Sequence, residues 1–294
     1  MMKSGYLLLA GLLFAGCSHT DVRNAETSRP SVYTVNYPLA YFAERLAGDQ
    51  ADVVFPEMEG DPAFWAPTAE QAGEYRKADL ILLNGAQYAK WVPNAALPQP
   101  RCINTSAGLE EQFIALDGSA SHAHGSAAAH AHGELAFTLW LNPELAVHQA
   151  GKIFDALSEW ADLDKGALAA LTADLEKLDA DLAAAFQSLE NTPLLGSHPV
   201  YQYLTARYGL NMESVHWEPD AEPDAGMWRE LADILETHHA DVMLWEDEPL
   251  PQVKQALADK GIKSVVFNPC GNRPDEGDFM SVMQANVQAV RNLK

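Results

Sequence analysis

The chain is 294 residues long and carries 19 basic against 41 acidic side chains, a formal charge of −22. That balance excludes a nucleic-acid partner and suits a cation as ligand. The length suffices for two lobes with cores of their own.

Lys3 supplies a short positive segment, and Leu7 to Phe14 form an apolar run too short to cross a bilayer. The run ends in Phe14-Ala15-Gly16-Cys17, which resembles the lipobox of bacterial lipoproteins. Residues 1–17 are therefore expected to be a lipoprotein signal peptide. Cys17 would be the lipidated residue, and a lipid anchor the chain's only membrane contact. The expected location is periplasmic or at the cell surface. Residues 18–30 are polar without an apolar period and predict a tether. Cys102 and Cys270 are the remaining cysteines. In an oxidising compartment they are expected to pair as a disulfide joining the two lobes.

The predicted fold class is α/β: two lobes with mainly parallel sheets joined by one long backbone helix. Strand and helix alternate from the start, with a strand at 32–35, a helix from Pro38, a strand at 52–55 and a helix at 69–77 behind Thr68. The apolar run 79–83 before Asn84-Gly85 suits a buried parallel strand. This amino-terminal lobe is expected over 31–160. It is interrupted at 119–133 by a Gly-, Ser-, Ala- and His-rich loop, after which Pro143 opens another helix.

Leu168, Leu171, Leu175, Leu178, Leu182, Phe186 and Leu189 recur at spacings of three and four, which predicts the linking helix over 164–190. A carboxyl-terminal lobe over 192–294 then repeats the alternation. Strands are expected at 194–197, 242–245 and 264–267, with helices to Tyr208, over 225–237 and 253–260, and at the end. Ligands of such sheets bind beyond the carboxyl ends of the strands, here the cleft between lobes.

Six segments, in order, resemble the solute-binding lipoproteins of zinc- and manganese-type ABC importers. They are Tyr37-Pro38-Leu39, Gly60 to Thr68, Ala78-Asp79-Leu80 with Asn84-Gly85 and Trp91, Trp140-Leu141-Asn142-Pro143, Ser197-His198, and Tyr208-Gly209-Leu210. The resemblance covers nearly the whole chain after the tether. It implies a two-lobed receptor around a rigid helix, a divalent ion as ligand, an ABC permease as partner, and a monomer. Zinc is the first expectation and manganese the second.

The same resemblance exposes departures. The family's first histidine falls on Ala63, its second on Thr138 and its late aspartate on Asn268, whereas His198 keeps its place. A zinc site needs about four N, O or S donors, and alanine supplies none. The expected ion ligands are therefore His198 with Glu218, then Glu246, with His216 beside them. The paired imidazoles of His122, His124, His130 and His132 form an expected auxiliary metal-capturing loop. No nucleophile elbow, Gly-rich phosphate loop or His-Glu-x-x-His motif is present, so no enzyme is expected. Trp65, Trp140, Trp217 and Trp245 leave an alternative open, a diverged receptor in which they line a site for an organic or chelated solute. A lipid-anchored metal-storage or interaction protein is a further alternative.

Overall fold

The computed structural model describes Met1 and residues 29–58, 60–116 and 134–293. Cys17, the tether start and the four loop histidines lie outside these residues. Two four-stranded parallel sheets organise the rest. The first runs β2(Asp52–Val54), β1(Ser31–Thr34), β3(Leu80–Leu83), β4(Cys102–Asn104). The second runs β6(Asn211–Ser214), β5(Pro193–Gly196), β7(Val242–Trp245), β8(Lys263–Val266). Both place their first strand second from the edge, so each has a point where strand order reverses. Such a point opens a crevice beyond the strand ends.

The helices follow from local signals. Helix α1(Tyr37–Ala47) is capped by the Asn36 side chain and has proline in its first turn, and α2(Ala69–Lys77) begins with a reciprocal capping box between Thr68 and Gln71. Helix α3(Pro143–Ser158) packs on α1 and on the strut α4(Lys165–Phe186). The strut buries Leu171, Leu175, Leu178, Leu182 and Phe186 and spans roughly 33 Å. Helix α5(Gln202–Tyr208) ends at Gly209, whose φ of 61° is the left-handed conformation a helix stop requires. Helices α6(Ala225–Thr237) and α7(Pro251–Ala258) cover the second sheet. The last helix, α8(Phe279–Arg291), leaves the second lobe. It packs on α4 and α1, with Phe279 edge-on to Phe42 at 5.4 Å.

One apolar cluster consequently runs from the first sheet through the strut to α8, and a second lies under the β5–β8 sheet around Trp217, Trp245, Leu231 and Leu257. Hydrogen bonds also stitch the lobes directly. Thr138 Oγ1 donates to Val200 O at 2.5 Å, Trp140 Nε1 to Pro269 O at 2.7 Å, Tyr37 N to Gly271 O at 2.9 Å, and Asn272 Nδ2 to Met58 O at 2.8 Å.

The expected disulfide is absent, because Cys102 and Cys270 are both free thiols. Cys102 sits at the amino end of β4, paired with Ile81. Cys270 precedes Gly271, which meets Tyr37 beyond the carboxyl end of β1. The two cysteines thus lie toward opposite ends of the first sheet, whereas a bridge needs Cα atoms within about 7 Å. No helix among the described residues is long and apolar enough to cross a membrane.

Candidate metal site in the cleft

Each C-lobe candidate stands just beyond a parallel strand. His198 follows β5 by two residues, His216 and Glu218 follow β6, and Glu246 follows β7 directly. Strand alternation sends Trp245 into the core and Glu246 out of it. Backbone bonds extend the ladder past the strands: Ser197 N donates to Leu244 O at 2.8 Å, Val215 N to Gly196 O at 3.0 Å and Trp217 N to Ser197 O at 2.6 Å. Gly196 permits this approach, since a Cβ there would meet Ser214 Oγ at 2.8 Å and His198 O at 3.2 Å.

The imidazole of His198 lies between two carboxylates. Its Nδ1 is 3.3 Å from Glu246 Oε1 and its Nε2 is 3.8 Å from Glu218 Oε1, and the His216 ring meets it edge-on at 5.6 Å. Glu246 is 25% exposed and Glu218 61%, so geometry brings Glu246 closer and deeper than Glu218, the reverse of the order expected from sequence. A tetrahedral zinc with bonds near 2.0–2.1 Å holds its donors about 3.3 Å apart. The Glu246 spacing matches this distance, and the Glu218 spacing exceeds it by about half an ångström. They involve opposite ring nitrogens, however, and one ion cannot bond both. Accordingly, no group of three or more His, Cys, Asp or Glu side chains among the described residues is gathered to hold a metal as it stands.

A residue that sequence reasoning passed over joins this group. Asp61, on the loop between β2 and α2, feels the charges of Glu246, His198 and Glu218. Its side chain keeps contact with solvent. Desolvation by the surrounding protein, helped by the charges of Glu246 and Glu218, outweighs the Ala63 N–H that bonds its Oδ1 at 2.8 Å and the charge of His198, and pushes the Asp61 pKa up to about 6. For His198, burial disfavours the imidazolium. The bond and charge of Glu246, with the charges of Glu218 and Asp61, outweigh it and raise the pKa above the usual imidazole value.

The remaining positions are structural. Ala63 is fully buried and Thr138 bonds Val200 O. Asn268 accepts from Cys270 N with its side chain, while its backbone is clamped by the Asn286 amide. Asp247 and Glu248 are exposed, Glu248 pairing with Lys254. Trp140, Trp217 and Trp245 are core residues, and Trp65 packs on Trp91 and Tyr75. Three of the four tryptophans considered for an organic solute are thus inside the core, while Trp65 is half-buried.

Residues 32–293 match the family described as zinc-uptake complex component A, periplasmic (ZnuA). The chain belongs to this family. It is 25% identical over 99% of its length to the zinc-binding lipoprotein AdcA of Streptococcus pneumoniae R6, and spans 61% of that relative's length. The fold matches the Zn(II)-bound ZnuA-like domain of S. pneumoniae AdcA and the metal-dependent lipoprotein YcdH of Bacillus subtilis. Each match has a TM-score of 0.73 at 22% identity, covering 90% of this chain and 98% of theirs. At that identity the likeness speaks for architecture. The architecture is that of the family.

Proposed function

We propose that the protein is the extracytoplasmic receptor of a metal ABC importer and that its cargo is zinc. It would capture the ion in the cleft and present it to a permease as a monomer, without covalent chemistry. The relatives named as zinc-binding support the choice of ion. The observation that carries the reading is His198 between Glu246 and Glu218, at strand ends of a fold whose family is a zinc-uptake component. A neutral imidazole with carboxylates is a competent zinc donor set.

In this reading His198 and Glu246 form the central pair. Glu218 either binds the ion or orients the other ring nitrogen, and His216 stands at the rim. Outer groups of this kind fix the tautomer and ring orientation of a metal-bound histidine. The histidines at 122, 124, 130 and 132 would collect additional ions more weakly, and Cys17 would tether the receptor to the membrane. Calorimetric titration of metal-stripped protein tests the proposal. A tight zinc site with sub-micromolar affinity is expected, and its absence would remove zinc as cargo.

A further inference from the structure

We propose that Thr138, on the amino-terminal lobe, is a positioning residue for His198. Its hydroxyl holds the backbone of the His198-Pro199-Val200 turn and so sets where the imidazole stands. The expected effect on zinc rests on the metal-receptor reading, whereas the effect on the imidazole does not.

The His198 turn is held from both lobes. On its own lobe, Ser197 N donates to Leu244 O at 2.8 Å and Trp217 N to Ser197 O at 2.6 Å, which ties the residue before His198 into the second sheet. Beyond His198 the chain leaves the sheet. Val200 N donates back to His198 O at 2.9 Å, and Pro199 between them has its φ locked by its ring, so the three residues move together. From the facing lobe, Thr138 Oγ1 donates to Val200 O at 2.5 Å. A shift of Val200 is therefore passed to His198 through a single stiff turn. The imidazole has little room for such a shift. Its Nδ1 is 3.3 Å from Glu246 Oε1, near the limit of a hydrogen bond, and a displacement of about 0.5 Å would remove that contact.

The donor is itself fixed. Thr138 and Val200 are both buried, so loss of the hydroxyl would leave the Val200 carbonyl without water to replace it. Thr138 O accepts from Leu141 N at 3.0 Å. The preceding carbonyl, Phe137 O, accepts from Asn84 Nδ2 at 2.9 Å. Asn84 Oδ1 in turn receives Asn36 Nδ2 at 3.1 Å and Gln149 Nε2 at 3.2 Å. Asn84 follows β3, Asn36 caps α1 and Gln149 lies on α3. A chain of buried amides thus runs from the carboxyl end of the first sheet to Thr138, and through its hydroxyl to the His198 turn. Functional side chains keep their geometry when their supports are locked in this way.

The test compares the parent with five variants. Thr138→Val and Thr138→Ala remove the donor with and without filling its space, Thr138→Ser keeps it, and His198→Ala reports on the cleft. Tyr203→Phe is the control, since Tyr203 Oη donates to Ala136 O at 3.2 Å, a cross-lobe bond of the same kind that starts on α5 and not on the turn. Chelator-competition titration reads zinc affinity. The imidazole nitrogen signals of His198, by NMR of the ion-free proteins at one fixed pH, read how the ring is set. Both donor-less variants should bind zinc at least about fivefold more weakly and shift the imidazole signals, while Thr138→Ser and Tyr203→Phe stay within about twofold of the parent with signals in place. Equal losses in Thr138→Ser or in Tyr203→Phe would reduce the bond to general cohesion of the lobes and overturn the proposal. So would donor-less variants that bind within about twofold of the parent while His198→Ala loses about tenfold. Imidazole signals left in place by both donor-less variants overturn it whatever the zinc result. A parent that binds no zinc overturns the receptor reading, and the imidazole signals alone then decide the role of Thr138.

Discussion

His198 faces carboxylates on both ring edges, and this makes proton and metal direct competitors for it. Zinc takes the deprotonated imidazole, so below the raised His198 pKa an ion would have to displace a proton that Glu246, Glu218 and Asp61 favour. If His198 holds the ion, zinc affinity should fall as pH drops through its raised pKa. Chelator-competition titrations from about pH 5 to about pH 8 should rise steeply and then flatten. A flat profile would remove His198 from the shell. The ion-free protein behaves in the opposite sense. Because the His198 pKa is raised, the stability it contributes is fully present at low pH and fades as pH rises through that value. Asn268, expected from sequence to stand where the family has an aspartate, caps the Cys270 N–H with its side chain.

At the scale of elements, the strut is tied to the second lobe by one compact network. Asp179 on α4 receives Arg207 Nε at 2.9 Å and Tyr208 Oη at 2.9 Å, both from α5. Asp179 is 23% exposed and Arg207 31%, so solvent screens the pair only in part. Asp179→Asn should cost roughly 1–2 kcal/mol in urea unfolding at neutral pH. Arg207 and Tyr208 hold the Asp179 pKa below its ordinary value. The wild-type advantage should therefore be full above the usual carboxylate range and shrink as pH falls through the lowered value. An advantage that grows in acid would contradict the assignment. The helices were legible from caps and periodicity, and α2 and α6 match their predicted bounds residue for residue. Strands β4 and β6 were not. Cys102-Ile103-Asn104 and Asn211-Met212-Glu213-Ser214 are short edge strands, and an edge strand needs no apolar run to hold its register. His198 and Glu246 were readable as strand-end residues. Asp61 was not, because a long loop carries it to the cleft and no periodicity marks where a loop returns.

The whole molecule is one assembly around a strut, with a continuous apolar cluster and cross-lobe bonds at Thr138, Trp140, Tyr37 and Asn272. Such a frame fixes where the cleft walls stand. It requires no cross-link, since the free Cys102 and Cys270 lie toward opposite ends of the first sheet, and burial pushes the Cys270 thiol up to about 12. The central claim is that this cleft, through His198, holds the ion. The direct measurement is zinc titration of two proteins that both lack residues 119–133, one with His198 and one with His198→Ala. Removing the loop takes away the competing histidines. The account predicts one tight ion in the first protein, and at least about tenfold weaker binding in the second. Equal affinity in the two, or no binding in either, would contradict it.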